Sequence, residues 1–186
     1  DFAKKLGVDG LDANISLPLG TEEITPLKMA AAYAAFAADG QYNAPYLVER
    51  VENAQGQEIV VHQAAPSTAM TPEVARWVTD VLQSNVERGT GTKARIWGQQ
   101  VAGKTGTTQD YGDAWFVGYS PYMATAVWMG NPKTNGDKMR SVGGIKVTGG
   151  SYASGIWQAL VSRVHADLPQ LSFPPAPAAR YGGRRG

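Results

Sequence analysis

Residues 101–129 constrain the fold of this chain more than any other stretch. Val101–Thr108 leads through Tyr111-Gly112-Asp113 into the apolar run Ala114–Tyr119. A second apolar run, Met123–Met129, follows across Ser120-Pro121. Short β-branched and aromatic runs bounded by Gly, Pro and Ser read as strands, and connections this brief allow hairpins. The stretch predicts one strand hairpinned onto two core strands. The first strand also carries chemistry, because Gly103-Lys104-Thr105-Gly106-Thr107-Thr108 gathers a lysine, bare glycines and three hydroxyls.

Two motifs compete for that strand. Gly98–Thr105 satisfies the phosphate-loop pattern G-x-x-x-x-G-K-[ST], which requires a buried strand before it and a helix N-terminus after it to cradle phosphates. Here a basic, turn-like segment leads in (Lys93–Gly98), and Gly106–Gly112 leads out with no helical period. The context disfavours a nucleotide. The other motif is Lys104-Thr105-Gly106, the K-T-G element of penicillin-interacting serine enzymes, which expects an edge strand followed by another strand.

The residues around K-T-G form an ordered set. Val101–Thr108, Asp113–Tyr119 and Ala126–Gly130 resemble the transpeptidase domain of class A (bifunctional) penicillin-binding proteins. The resemblance continues upstream through Leu17-Pro18-Leu19-Gly20, Glu23–Tyr33 and Arg88-Gly89-Thr90-Gly91-Thr92. Downstream it takes in Thr148–Tyr152 and Ile156-Trp157, so that it covers most of residues 1–168. It implies an α+β fold: an antiparallel sheet with helices on its faces, the penicillin-binding protein or serine β-lactamase-like transpeptidase fold, here its C-terminal part only.

Composition agrees with one packed domain. The chain has 186 residues, 43% of them apolar, and a net charge of +1, which argues against nucleic acid as a partner. Cysteine is absent, excluding disulfides and thiolate metal sites. His62 and His165 lack metal-ligand spacing and read as structural or surface residues. No apolar run is long enough to span a bilayer. Asp1–Gly7 reads as the last turn of a helix, so a fragment of a longer protein is expected.

Along the chain, residues 11–24 are irregular, with Pro18 and Gly20 as breakers. Thr25-Pro26 opens a helix that Gly40 stops, with Met29, Ala32, Tyr33, Phe36 and Ala37 at helical spacing. Tyr46–Val51 and Glu58–Val61 form a hairpin around Asn53–Gly56. Thr71-Pro72-Glu73 opens a second helix, on which Val74, Trp77, Val78, Val81, Leu82 and Val86 are expected to be core. Gly89–Lys93 is a flexible loop, and Asn131–Lys138 is a polar one. Ser151 is the expected N-cap of a last helix, with Ile156, Trp157, Leu160, Val161 and Val164 as its apolar face. Trp115 and Trp128 read as core. The folded domain is expected over 1–168, and the Pro/Ala/Gly/Arg-rich tail 169–186 is expected to be disordered.

The resemblance implies a mechanism. The family cleaves the terminal D-Ala-D-Ala amide of peptidoglycan stem peptides through an acyl-serine, passes the acyl group to a neighbouring amine, and is acylated by β-lactams at the same serine. It uses S-x-x-K, S-x-N and K-T-G. No serine here is followed by Lys at the third position, and no Ser-x-Asn occurs. In the family both motifs lie upstream of the matched segment, so the nucleophile is expected outside this chain and the fragment alone is expected to be inactive. Lys104 would supply positive charge beside the serine. Thr105 and Thr107 would offer hydroxyls to the ligand carboxylate, and the Thr107 amide would form one arm of the oxyanion hole. Gly106 would let substrate lie along the strand edge. No metal or cofactor is implied. Implied partners are the missing N-terminal half of the domain, stem peptides and β-lactams. The implied location is the outer face of the bacterial cytoplasmic membrane, anchored by an upstream segment. The alternatives are another penicilloyl-serine protein (a D,D-carboxypeptidase or β-lactamase) and a non-catalytic domain that binds β-lactam or cell-wall peptide.

Overall fold

The computed structural model describes residues 1–12, 15–17, 20, 22–131 and 138–178. After a single turn, α1 (Phe2–Lys5), comes α2 (Pro26–Ala37). Thr25 caps α2 through its hydroxyl, which accepts from Lys28 N at 3.3 Å, and Pro26 occupies the first turn, where no amide donor is needed. The helix stops because Asp39 and Gly40 take left-handed backbone (φ 51° and 89°). A Cβ at Gly40 would lie 2.2 Å from the Met70 carbonyl oxygen, so only glycine fits that turn. β1 (Gln41–Tyr42) then pairs with β4 (Ser67–Thr68). Between them lies the predicted hairpin, β2 (Arg50–Glu52) against β3 (Glu58–Val61). It is shorter than expected at its start, and Tyr46 instead stacks on His62 with ring centroids 3.8 Å apart.

α3 (Pro72–Arg88) starts as Thr71-Pro72 predicts. The centre of the molecule is the antiparallel sheet β5 (Ala102–Thr107), β6 (Asp113–Tyr119) and β7 (Ala124–Gly130), in that order. Its register pairs Lys104 with Val117, Gly106 with Trp115, and Trp115 with Trp128. Side chains alternate across a strand, so the sheet has two dissimilar faces. Phe116 and Val127 lie on one, packed with Trp157 and Val161 of α4 (Ser154–Val164). Tyr119 and Ala124 lie on the other, packed with Tyr33 and Phe36 of α2. α3 runs beside β5 and contributes Leu82 to one cluster and Val86 to the other. This is the expected α+β arrangement with helices on both faces of an antiparallel sheet.

Several expectations need correction. On α3 only part of the predicted stripe is covered, and Val74, Trp77 and Val81 are exposed. α4 buries Trp157 and Val161 but exposes Ile156, Leu160 and Val164. Each helix meets the described chain along one side only, and its apolar arc is wider than that contact. Trp115 is half-buried and Trp128 is 37% exposed, because they lie on the α2 face of the sheet beyond the reach of α2. Ser151 does not cap the last helix: α4 continues from a turn whose N-cap is Thr148. Ser151 is the third residue of a capping box, and a π-type turn, Gly149–Ala153, precedes α4. The described part of the tail makes contacts with the body. Phe173 is buried against Leu82, Ala102 and Tyr119, its amide donates to Gln100 Oε1 at 2.8 Å, and Trp77 Nε1 donates to the Pro177 carbonyl at 2.9 Å. Pro18, residues 132–137 of the polar loop and residues 179–186 of the tail lie outside the described residues.

Candidate active site

β5 presents different chemistry along its edge and on each of its faces. Thr108 N donates to the Asp113 carbonyl (3.1 Å), which sets the even-numbered backbone groups toward β6. The odd-numbered groups point outward along the strand edge. The Gly103 carbonyl accepts from Asn85 Nδ2 (2.8 Å) and the Thr105 carbonyl from Lys104 Nζ (2.8 Å). The Thr107 amide points out along the same edge. Side chains divide by the same alternation. Thr105 and Thr107 lie on the α4 face, and exposed Lys104 lies with Gly106 and Trp115 on the other. All four expected site residues are therefore on one strand, with Lys104 and the threonines on opposite faces. At Gly106 an added Cβ would come 3.2 Å from Trp115 Cβ, so the glycine also has a packing reason on the sheet face.

The two threonine hydroxyls are held by segments far away in sequence. Thr107 Oγ1 accepts from Gly149 N at 3.1 Å. Gly149 approaches so closely that a Cβ there would lie 2.2 Å from the Trp115 carbonyl oxygen and 2.7 Å from that of Gly106. Thr105 Oγ1 lies 2.6 Å from Thr90 Oγ1, and Thr90 donates to Asn85 Oδ1 from both its amide (3.2 Å) and its hydroxyl (3.1 Å). Asn85, Thr90 and Gly149 were not singled out from sequence as site residues. Their only sequence signal is the glycine-threonine spacing of Gly89–Thr92 and Thr148–Gly150.

The loop after β5 is fixed by charge. Asp110 and Tyr111 both take positive φ (61° and 64°). The Asp110 carboxylate pairs with Lys138 Nζ (2.7 Å) and Arg140 (2.9 Å). The hydrogen bond from Lys138, then that from Arg140, holds its pKa below the ordinary carboxylate value. Trp128 Nε1 donates to Asp113 Oδ1 at 2.8 Å, closing the β6–β7 end. The phosphate-loop reading fails on this geometry. Gly103-Lys104-Thr105 lies inside a strand, and only a single 3₁₀ turn, Gln109–Tyr111, follows.

A three-stranded antiparallel core with Lys-Thr-Gly-Thr on its edge strand and a final helix across one face is an arrangement of the penicillin-binding and β-lactamase-like fold. Comparison with known proteins makes this specific: residues 5–148 match the family described as Penicillin binding protein transpeptidase domain, and the chain belongs to that family. It is 35% identical over 173 residues to penicillin-binding protein 1A of Aquifex aeolicus, covering 93% of this chain and 23% of the relative. It is 39% identical over 154 residues to penicillin-binding protein 1A of Neisseria meningitidis, covering 79% of this chain and 18% of that protein. It is also similar in structure to the PonA1 protein of Mycobacterium tuberculosis solved with penicillin V (TM-score 0.84, 28% identity), over 94% of this chain and 51% of that one. The chain thus spans about a fifth of the length of these curated relatives.

Proposed function

We propose that this chain supplies the K-T-G side of a serine D,D-transpeptidase site, which forms an acyl-enzyme with D-Ala-D-Ala stem peptides and is acylated by β-lactams. The observation that carries this reading is the outward-pointing Thr107 amide, on an edge strand that also bears Lys104 and two fixed threonine hydroxyls. An amide so placed can donate to a developing oxyanion, and preorganised donors of this kind contribute most where charge appears in the transition state. Lys104 sits next to the same edge and would ease proton movement from the nucleophile. The Thr105 and Thr107 hydroxyls would take the ligand carboxylate. The PonA1 relative described in complex with penicillin V supports β-lactams as ligands.

The nucleophilic serine and its lysine would come from sequence upstream of Asp1. The same upstream part would cover Trp115 and Trp128 on the Lys104 face and the exposed rows on α3 and α4. The reaction needs no cofactor. The domain would act on the outer face of the bacterial cytoplasmic membrane, held there by a segment outside these residues. Among the described residues no helix is long and apolar enough to cross a membrane. A D,D-carboxypeptidase or β-lactamase would share the acyl-serine step but not the transfer to an amine acceptor.

The test is labelling of the full-length protein with a penicillin, followed by peptide mapping and by incubation with stem peptides. One adduct on a serine outside residues 1–186 and a cross-linked peptide product are expected. Lys104→Ala should slow acylation by about 10²-fold with unchanged melting, since its side chain is exposed. An adduct on a serine within this chain, or full acylation by Lys104→Ala, overturns the assignment.

A further inference from the structure

The hydroxyl contacts behind β5 leave one proton with two claimants. A threonine hydroxyl has one proton to donate and two lone pairs to accept with. Thr90 Oγ1 is within reach of two acceptors, Asn85 Oδ1 at 3.1 Å and Thr105 Oγ1 at 2.6 Å. If Thr90 gives its proton to Asn85, the short contact to Thr105 must use the Thr105 proton, and Thr105 can then only accept from the groove. If Thr90 turns its proton to Thr105, the Thr105 proton is released outward. Asn85 is satisfied either way. Its Oδ1 keeps the Thr90 amide at 3.2 Å and its Nδ2 keeps the Gly103 carbonyl at 2.8 Å. The exchange gives up the Thr90–Asn85 hydroxyl bond and reverses the Thr90–Thr105 one, so that the Thr105 proton goes to the ligand, and it moves no heavy atom.

The surroundings fit only this geometry. A Cβ at Gly89 or Gly91 would lie 2.5 or 2.9 Å from the Asn85 side chain, and one at Gly150 would lie 2.8 Å from the Thr90 carbonyl oxygen. Thr107 needs no such adjustment. Its oxygen already accepts from Gly149 N, so its own proton is free to point outward.

We propose that Thr90, held by Asn85, is a positioning residue: a hydroxyl switch that turns Thr105 from acceptor to donor when a carboxylate enters beside Thr105 and Thr107. In the filled state the carboxylate accepts from both threonines, the Thr105 oxygen accepts from Thr90, and Asn85 retains the Thr90 amide. The proposal rests on the function proposed above and goes beyond it by placing part of the carboxylate selectivity on a residue that does not touch the ligand.

The test measures acylation of the full-length protein by a penicillin with a free carboxylate and by its methyl ester, resolving the noncovalent dissociation constant from the acylation rate constant. Thr90→Val removes the oxygen that claims the Thr105 proton in the empty site and should lower the dissociation constant for the free acid about fivefold, the net worth of one hydrogen bond no longer given up on binding. The gain should be absent with the ester and should not appear in the acylation step. Thr90→Ser should return the dissociation constant to the wild-type value, and Thr90→Val added to Thr105→Val should change nothing further. Thr90→Cys, whose sulfur is a weak acceptor, serves as a second variant should valine disturb folding, with the same expectation. An unchanged or raised dissociation constant for the free acid, an equal change with acid and ester, or a change confined to the acylation step overturns the switch. A wild-type protein that takes up no penicillin overturns the underlying reading, and the switch with it.

Discussion

The Ser120 hydroxyl lies 2.7 Å from His165 Nε2, and both residues are buried. The other ring nitrogen, Nδ1, is 2.7 Å from the Val161 carbonyl, which can only accept, so Nδ1 carries a proton, and in the neutral ring Nε2 accepts from Ser120. The Ser120 oxygen in turn accepts from the amides of Tyr122 (3.1 Å) and Met123 (3.3 Å), fixing the turn between β6 and β7. His165→Phe would leave a buried hydroxyl with no acceptor and should destabilise the domain by about 2 kcal/mol. Adding Ser120→Ala should recover part of that loss. Urea unfolding of the full-length protein checks both, and strictly additive losses would show that the pair is not coupled.

Two glycines close together in sequence should respond in opposite ways to alanine. A Cβ added at Gly149 would lie 2.2 and 2.7 Å from backbone oxygens that cannot move without displacing the β5–β6 ladder, whereas one added at Gly155 meets nothing within 4 Å. Gly149→Ala should cost about 2 kcal/mol and lower penicillin acylation. Gly155→Ala, in the first turn of α4, should gain about 0.5 kcal/mol. Thermal melting and acylation of both variants are the measurements.

Asp39 and Arg76 form a forked pair, Nε to Oδ1 at 3.0 Å and Nη2 to Oδ2 at 2.7 Å. The hydrogen bond from Arg76 lowers the Asp39 pKa in the folded state. The unfolded chain therefore takes up this proton first as pH falls. The pair's contribution is full above about pH 4, the ordinary carboxylate value, and is lost as pH falls through the lowered folded value. Asp39→Asn tolerates the same left-handed backbone without the charge. The stability difference between the two proteins should shrink as pH falls from 6 to 3 and should be small throughout, because the pair is about a third exposed. A difference that grows in acid would contradict the sign.

Among the described residues of the tail, Phe173 is the one large side chain buried in the core, edge-on to Tyr119 with ring centroids 5.4 Å apart. Phe173→Ala should cost about 3 kcal/mol and open residues 173–178 to limited proteolysis. Unchanged stability would mean that the tail rests on the body without supporting it.

What could be read from sequence was local. Thr25-Pro26 and Thr71-Pro72 state a cap and a first helical residue in two letters, and both helices begin there. The apolar run Ala114–Tyr119, turned at Ser120-Pro121 into a second run, carried the strands and their pairing. It could not say which face is covered, so Trp115 and Trp128 were expected inside although they lie beyond the reach of α2. The width of the apolar arcs on α3 and α4 misled for the same reason, because a stripe records what a helix can bury and not what this stretch of chain brings to it. Phe173 was hidden by proline-rich neighbours. Asn85 and Thr90 were illegible because their roles come from a helix end crossing a strand at long range, which leaves no period in the sequence.

The alternation of β5 has a consequence for change over time. One residue decides whether a position faces the edge or β6, and whether its side chain lies with Lys104 or with Thr105. Substitutions within Ala102–Thr107 alter one position each. Inserting or deleting a single residue would shift the frame, carrying lysine to the threonine side and turning the Thr107 amide into the ladder. This strand can drift in its letters but is locked in its length.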